Sequence, residues 1–486
     1  MICLRPARDG RISSDDGTGH NQPAKPNSGI YDGPFRYACA SNLCAGITVA
    51  LLYRYADLIG YLGGGEYELG WIVGIGMVGS LTMRFVMGRA VDRHGARTVW
   101  LSSLVLLSLV CFSHLLVRSC HGPTIYILRI LLASAIAGVF GSGITWSGGR
   151  VPTARLAEIV GTLGASGFAA MAVGNYLGDV LARSATGSVY IARLFVASGS
   201  LTLVAIFFCW MATRGTVRPS NGQASGSMAR ILWRYSPRFV LMVGAATGIV
   251  LNLPSTFLRP FTAELGISGM ATFFGVYAGV ALMTRISARR FPERFGLAPV
   301  ILLGLVLLAA GMMSFLLVET AWQLVIPASI LGFAHALVFP PTVAASTLSF
   351  PENCRGLGTM LILAAYDVGV LVGAPLAGGL LRFSKPLGLP PYPTMFATIG
   401  TLMLLICGVY AASLLRRKYA KVDTLADGSV VAVGQRPDGA EHAHQQRDDG
   451  QRDDETEHNP AERAADGLVR HGKDQVGRVR DVIRQE

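Results

Sequence analysis

The chain runs to 486 residues, of which 51% are hydrophobic and 15% charged, with a formal net charge of +12. Soluble domains carry about 25% charged residues, so a soluble α/β enzyme is excluded. The basic excess would suit a nucleic-acid binder, but most arginines sit in short segments between apolar blocks, and nucleic acid is set aside as a partner.

In chain order, residues 1–34 are polar and rich in Gly, Asp, Ser and Pro, with no apolar run before Ala38. They lack the apolar region of a signal peptide and are expected to form a disordered cytoplasmic tail, the first spanning helix serving as insertion signal. Apolar blocks follow, each about twenty residues long, the length a helix needs to cross roughly 30 Å of hydrocarbon. They predict spans at 36–56, 67–87, 98–117, 123–146, 156–181, 189–213, 237–257, 270–288, 297–318, 320–342, 357–383 and 392–415. Pro340, Pro341 and Pro351 break up the region between the tenth and eleventh. Polar residues 214–236, with Arg214, Arg218 and Arg230, are expected to be a cytoplasmic linker. It would join a six-helix bundle at 35–213 to another at 237–415. Residues 416–486 are dense in Asp, Glu, Arg, Gln and His and are expected to be a disordered cytoplasmic tail. The eight cysteines form no CxxC pair and read as small buried hydrophobes, so no metal and no cofactor is expected.

Loop charges orient the spans. One set of loops carries Arg89, Arg93, Arg97, Arg150, Arg155, Arg289, Arg290, Arg294 and Arg355, besides the linker arginines. The other carries Arg118, Arg183, Arg259, Arg382 and Lys385 together with Glu66, Glu68, Glu264 and Glu319. The basic set belongs on the cytoplasmic side, which places both termini inside a plasma or inner membrane.

The two halves echo each other. Pro152 and Pro351 are 199 positions apart, as are Gly174 and Gly373. Asp92-Arg93-His94-Gly95 returns as Glu293-Arg294-Phe295-Gly296, a shift of 201 from Gly95 to Gly296. Matching loops at near-constant offset imply two related six-helix halves.

Between the second and third spans stands Gly88-Arg89-Ala90-Val91-Asp92-Arg93-His94-Gly95-Ala96-Arg97. Gly88 and Gly95 permit a tight turn, Asp92 can accept hydrogen bonds near a helix start, and Arg93 and Arg97 anchor the loop on the inner face. This loop resembles that of the major facilitator superfamily, G-x-L-a-D-R-x-G-R-R, at Gly88, Asp92, Arg93, Gly95 and Arg97, departing at Ala90 and Ala96. The resemblance covers about residues 35–415. It implies an all-α integral membrane fold of twelve transmembrane helices in two pseudo-symmetric six-helix bundles. It also implies that Asp92 latches onto the start of the eleventh helix, near Arg355 and Gly356, when the protein faces outward. Arg129 fits the family's arginine early in the fourth helix, with Ala133 for the glycine that follows. Late in the fifth helix, where the family's antiporters carry G-P-x-x-G-G, the chain has Asn175 for the proline and Asp179 for the last glycine.

Polar groups inside apolar spans complete the candidate list. Arg129 faces an interior cavity or snorkels to the interface. Asp367, mid-way along the eleventh span, either takes up a proton for coupling or hydrogen-bonds a neighbouring helix. Arg54 and Asp57, three residues apart, pair with each other or close an outer gate with Arg259. His335 is a packed histidine or a proton relay. Asn175 is expected to hydrogen-bond between helices. Tyr53, Asn252, His114 and Tyr366 are further candidates, and the resemblance favours Tyr53, Arg54, Arg129, Asn252 and His335 as cavity lining.

These residues point to a monomeric secondary transporter in the lipid bilayer. It would move a small-molecule substrate by alternating access, with H+ as a possible coupling ion and efflux ahead of uptake. The alternative is a sensor or scaffold that keeps the fold without transporting. The chain has no Walker A, HExxH or DDxxD pattern, which leaves direct ATP drive and membrane enzyme chemistry unsupported.

Overall fold

The computed structural model describes residues 32–150, 156–215, 234–288, 290–351 and 355–431. The expectations for the N-terminal tail, and for most of the linker and C-terminal tail, fall outside them. Among the described residues stand twelve helices of eighteen residues or more. In the first half these are α1 (Gly33–Tyr61), α2 (Glu66–His94), α3 (Ala96–Leu116), α4 (Pro123–Gly148), α5 (Leu156–Ser184) and α6 (Gly187–Ala212). In the second they are α7 (Arg238–Glu264), α8 (Met270–Ser287), α9 (Leu297–Leu317), α10 (Ala321–Leu348), α11 (Arg355–Leu387) and α12 (Pro391–Val431). Eleven of the twelve are long and apolar enough to cross a membrane. The other, α5, runs 29 residues.

The sequence explains where helices start and stop. Asp32 caps α1, its carboxylate accepting from Phe35 N at 2.9 Å, and α1 tightens into a 3-10 turn at Leu52–Arg54. Glu68 accepts from Gly65 N at 2.8 Å at the head of α2. Pro340 and Pro341 do not end α10, which continues to Leu348; the break read from them is corrected. In lipid, a proline inside a helix is tolerated when neighbouring helices shield the freed carbonyls. α12 runs to Val431, past the end of its apolar stretch.

The duplication read from the loops recurs in the backbone. Gly95 closes α2 at φ +83° and Gly296 closes the short helix Phe291–Phe295 at φ +84°. Their amides donate to the carbonyls of Val91 and Pro292 at 2.8 and 3.0 Å. A side chain would be strained at either position. Packing repeats as well: Gly174 of α5 lies against Ile47 of α1, and Gly373 of α11 against Ile249 of α7.

The halves meet through α2 with α11 and through α5 with α8. The exterior is apolar, with Leu109, Phe207 and Leu405 exposed by 59%, 53% and 64%, as a lipid-facing surface requires. Between α7 and α11 the backbones touch. A Cβ on Gly369 would fall on the Ala245 carbonyl, and one on Gly248 on the Tyr366 carbonyl. Gly369→Val should therefore cost about 1–3 kcal/mol by overpacking. Gly279→Val, where nothing lies within 4 Å, should be silent. Thermal unfolding in detergent compares the two, and equal melting temperatures would refute the close contact.

Candidate functional site

A cavity of about 450 Å³ lies at mid-height between α1, α2, α4, α7, α10 and α11. Its walls are largely apolar, and besides Tyr55, Ser255 and Thr256 six polar residues line it: Tyr53, Arg84, Arg129, Asn252, His335 and Tyr366. Five of those six are residues singled out in the sequence, drawn from five helices into one chamber.

Arg129 is held by stacking rather than by an acid. Its guanidinium lies 4.6 Å from the centre of the Tyr55 ring, and its buried Nε has no hydrogen-bond partner. Gly76 leaves room for its stem. Tyr55 is fixed in turn by His114. His114 Nδ1 donates to the Val110 carbonyl at 2.7 Å, so its Nε2 accepts from the Tyr55 hydroxyl at 3.2 Å. Stacked on Phe195 at 4.8 Å, His114 belongs to the core behind the cavity rather than to its lining.

The other polar groups are mostly paired. Asn252 Nδ2 donates to Thr256 Oγ1 at 2.9 Å. His335 Nδ1 lies 2.6 Å from the Tyr277 hydroxyl, and its ring is edge-on to Phe168 of α5. The Thr342 hydroxyl donates to a carbonyl of its own helix, so Tyr366 OH donates to Thr342 Oγ1 at 2.5 Å. The Tyr53 ring packs against Phe274 of α8 at 4.9 Å.

Asp367 is buried and paired across the halves. Arg84 Nε donates to Asp367 Oδ2 at 2.5 Å and Arg84 Nη2 to Oδ1 at 3.1 Å. Ser80 Oγ adds a third bond to Oδ2 at 2.6 Å. Sequence reading missed Arg84. The visible signal was an arginine within Leu-Thr-Met-Arg-Phe-Val-Met, four residues before the family loop begins at Gly88.

Arg54, Asp57 and Arg259 do not line this cavity. They form an ionic network at the end opposite the Gly88–Arg97 loop, beside a second cavity of about 460 Å³. Arg54, 1% exposed, pairs with Asp179 of α5 and lies 4.0 Å from Asp57. Arg259 of α7 donates to Asp57 at 2.9 Å, and the Tyr190 hydroxyl of α6 donates to the same carboxylate at 2.8 Å. Asp179 Oδ2 accepts from Ala271 N, at the start of α8, at 3.2 Å. Two acids of the first half thus hold the second half, through an arginine and a helix N-terminus. Glu66 of α2 and Tyr392 of α12 add a contact at the same end at 3.3 Å.

Asp179 had been legible only as a departure from the family's glycine; here it replaces that glycine with a charge lock. Asn175 also differs from expectation. Its Nδ2 donates to the Met171 carbonyl of its own helix at 2.9 Å, its Oδ1 is buried without a partner, and it does not line the central cavity.

At the other end, Gly88, Asp92 and Arg93 are exposed, Arg97 is half-buried and Gly95 is buried. Asp92 has no hydrogen-bond or ion-pair partner among the described residues. The latch to the start of α11 is therefore not made with any described residue.

Comparison with known proteins agrees with this architecture. The chain is 25% identical over 265 residues to a probable nitrate/nitrite antiporter of Thermus thermophilus, covering 51% of this chain and 58% of that protein. It is 26% identical over 221 residues to a putative tartrate transporter of Agrobacterium vitis, covering 43% and 46%. The chain thus spans about half the length of these two relatives. An uncharacterized MFS-type transporter of Salmonella typhimurium is 23% identical over 358 residues, covering 70% of this chain and 87% of that protein. A solved D-xylose-proton symporter superposes at TM-score 0.62 with 14% identity, over 76% of this chain and 96% of that one. A POT family transporter, PepTSo, superposes at 0.65 with 11% identity, over 80% and 98%. The family description Major Facilitator Superfamily matches residues 38–296 and 288–432, nearly the whole helical region, and the chain belongs to that superfamily.

Proposed function

We propose that the chain is a secondary active transporter that moves a small organic solute by alternating access around the central cavity, coupled to protons through Asp367. The observation that carries this reading is the unequal closure of the two ends. One is tied by Arg54, Asp57, Asp179 and Arg259, while Asp92 at the other is exposed and unlatched. With the basic loops in the cytoplasm, the tied end is external and this state faces inward. Rocking outward would break the ionic network and seat Asp92 at the head of α11, where a helix N-terminus favours a carboxylate. Export is the proposed direction, from the likeness of the Gly88–Arg97 pattern to those of exporters.

The test is flux of a panel of metabolites in vesicles of both orientations, with an imposed pH gradient. At least one solute should show saturable flux, faster out of the cell-equivalent side. Asp92→Asn, which loses the latch of the outward state, should slow that flux several-fold by shifting the rocking equilibrium. Absence of flux for every solute, or an unchanged rate in Asp92→Asn, would count against the reading.

A further inference from the structure

The two charged side chains that line the central cavity, Arg84 and Arg129, are both cations, and no Asp or Glu lines it. Asp367 lies behind the wall, bound by Arg84 Nε and Nη2 and by Ser80 Oγ. Among the described residues Arg129 has no acid beside it, only the face of Tyr55 and an orphaned Nε. A buried cation without a counter-ion is costly, and a chamber of this size has room to admit one.

We infer that the substrate is a small anion, a carboxylate or other oxyanion, and that Asp367 is a tethered competitor occupying Arg84 while the cavity is empty. Arg129 is the standing cation of the site. Arg84 is a conditional one, released when Asp367 takes a proton from water and its carboxylate becomes a neutral acid. The anion then bridges Arg129 and Arg84, and anion and proton are bound together. Charge balances: Arg84, Arg129 and ionised Asp367 sum to one positive charge, and so do Arg84, Arg129, protonated Asp367 and a monoanion. The empty and loaded carriers therefore cross with equal charge. Because the pair joins α2 to α11, loading also removes one tie between the halves. This inference rests on the transport reading and names its substrate class; an outward solute gradient would drive the anion out with its proton.

The surroundings of Asp367 hold few other titratable groups. α2 presents Arg84 and Ser80, and α7 meets α11 through Gly248 and the Ala245 backbone. α10 contributes Thr342, on Tyr366, and His335, on Tyr277. His335 is the other group able to make anion binding depend on pH, so the Asp367 variant must separate the two.

The experiment is direct binding to the purified full chain in detergent, by calorimetry and thermal shift. The probes are nitrate, acetate, L-lactate, L-tartrate and phosphate, with D-xylose as neutral control. Wild type should bind at least one anion more tightly as pH falls, by up to about tenfold per pH unit for one linked proton. Asp367→Asn should bind that anion at high pH as tightly as wild type does at low pH, with the pH dependence gone. Arg84→Gln should weaken binding at least about tenfold. Ser80→Ala removes only one of the three bonds on Asp367 and should tighten binding a few-fold; it decides the matter if Asp367→Asn does not fold. The inference fails if no probe anion binds either wild type or Ser80→Ala. It fails equally if the pH dependence persists in Asp367→Asn, or if D-xylose binds as well as the anions. Proton-linked anion binding without vesicle flux would keep the inference and overturn transport, whereas flux of neutral solutes alone would do the reverse.

Discussion

Asp179→Asn should open the network end of the carrier. In the closed state Arg54 is almost wholly buried, and among the described residues its close acid is Asp179; Asp57 stands at 4.0 Å and is shared with Arg259 and Tyr190. Arg54 Nε already lacks a partner. Removing the acid leaves a buried cation uncompensated, which costs about 3–5 kcal/mol. The penalty falls on the closed state, because opening lets water reach the guanidinium. A differential of that size shifts a two-state ratio by about 10²- to 5 × 10³-fold, enough to reverse the population. Spin labels at Tyr61→Cys on α1 and Leu265→Cys beyond α7, with the native cysteines replaced, report the distance. It should lengthen in Asp179→Asn, and an unchanged distance distribution would mean that other contacts hold this end.

Arg129→Gln should all but abolish transport. Glutamine keeps hydrogen-bonding capacity but removes the one cavity cation that no acid neutralises. Truncating one partner of a buried charge contact costs about 2–4 kcal/mol, so kcat/KM should fall about 30- to 1,000-fold. Arg129→Lys restores the charge but not the planar face that lies on Tyr55, and should recover part of the loss. Melting temperature should stay near that of wild type, since the orphaned Nε means that little stability is lost. If Arg129→Gln transports normally, the cavity charge has no role in binding.

The sequence carried the fold because lipid imposes simple rules. Blocks of apolar length marked the helices, and loop arginines marked the sides. Gly95 and Gly296 showed the duplication because a backbone at positive φ admits little else. The cavity was partly legible for the same reason: a polar side chain in hydrocarbon must face something, and Tyr53, Arg129, Asn252, His335 and Tyr366 face one another. What stayed hidden were pairings. Arg84 and Asp367 lie 283 positions apart, and nothing local says that α2 abuts α11. Arg54 and Asp57 were read as a pair on one helix or as an outer gate with Arg259; the structure joins Arg259 to Asp57 and adds Asp179 from α5, which that reading lacked. Asn175 was assigned to a neighbouring helix because a lone amide in lipid usually bonds across; here its own Met171 carbonyl takes the bond.

The central claim is that one cavity is reached from two sides in turn, and two distances measured on the same preparation test it most directly. One pair of spin labels sits at Tyr61 and Leu265, the other at His94 and Phe295, on the two loops related by the duplication. Adding a transported solute, or changing pH across the membrane, should lengthen one distance while shortening the other. Both pairs lengthening together would describe a channel, and neither moving would describe a rigid scaffold; either result would contradict alternating access.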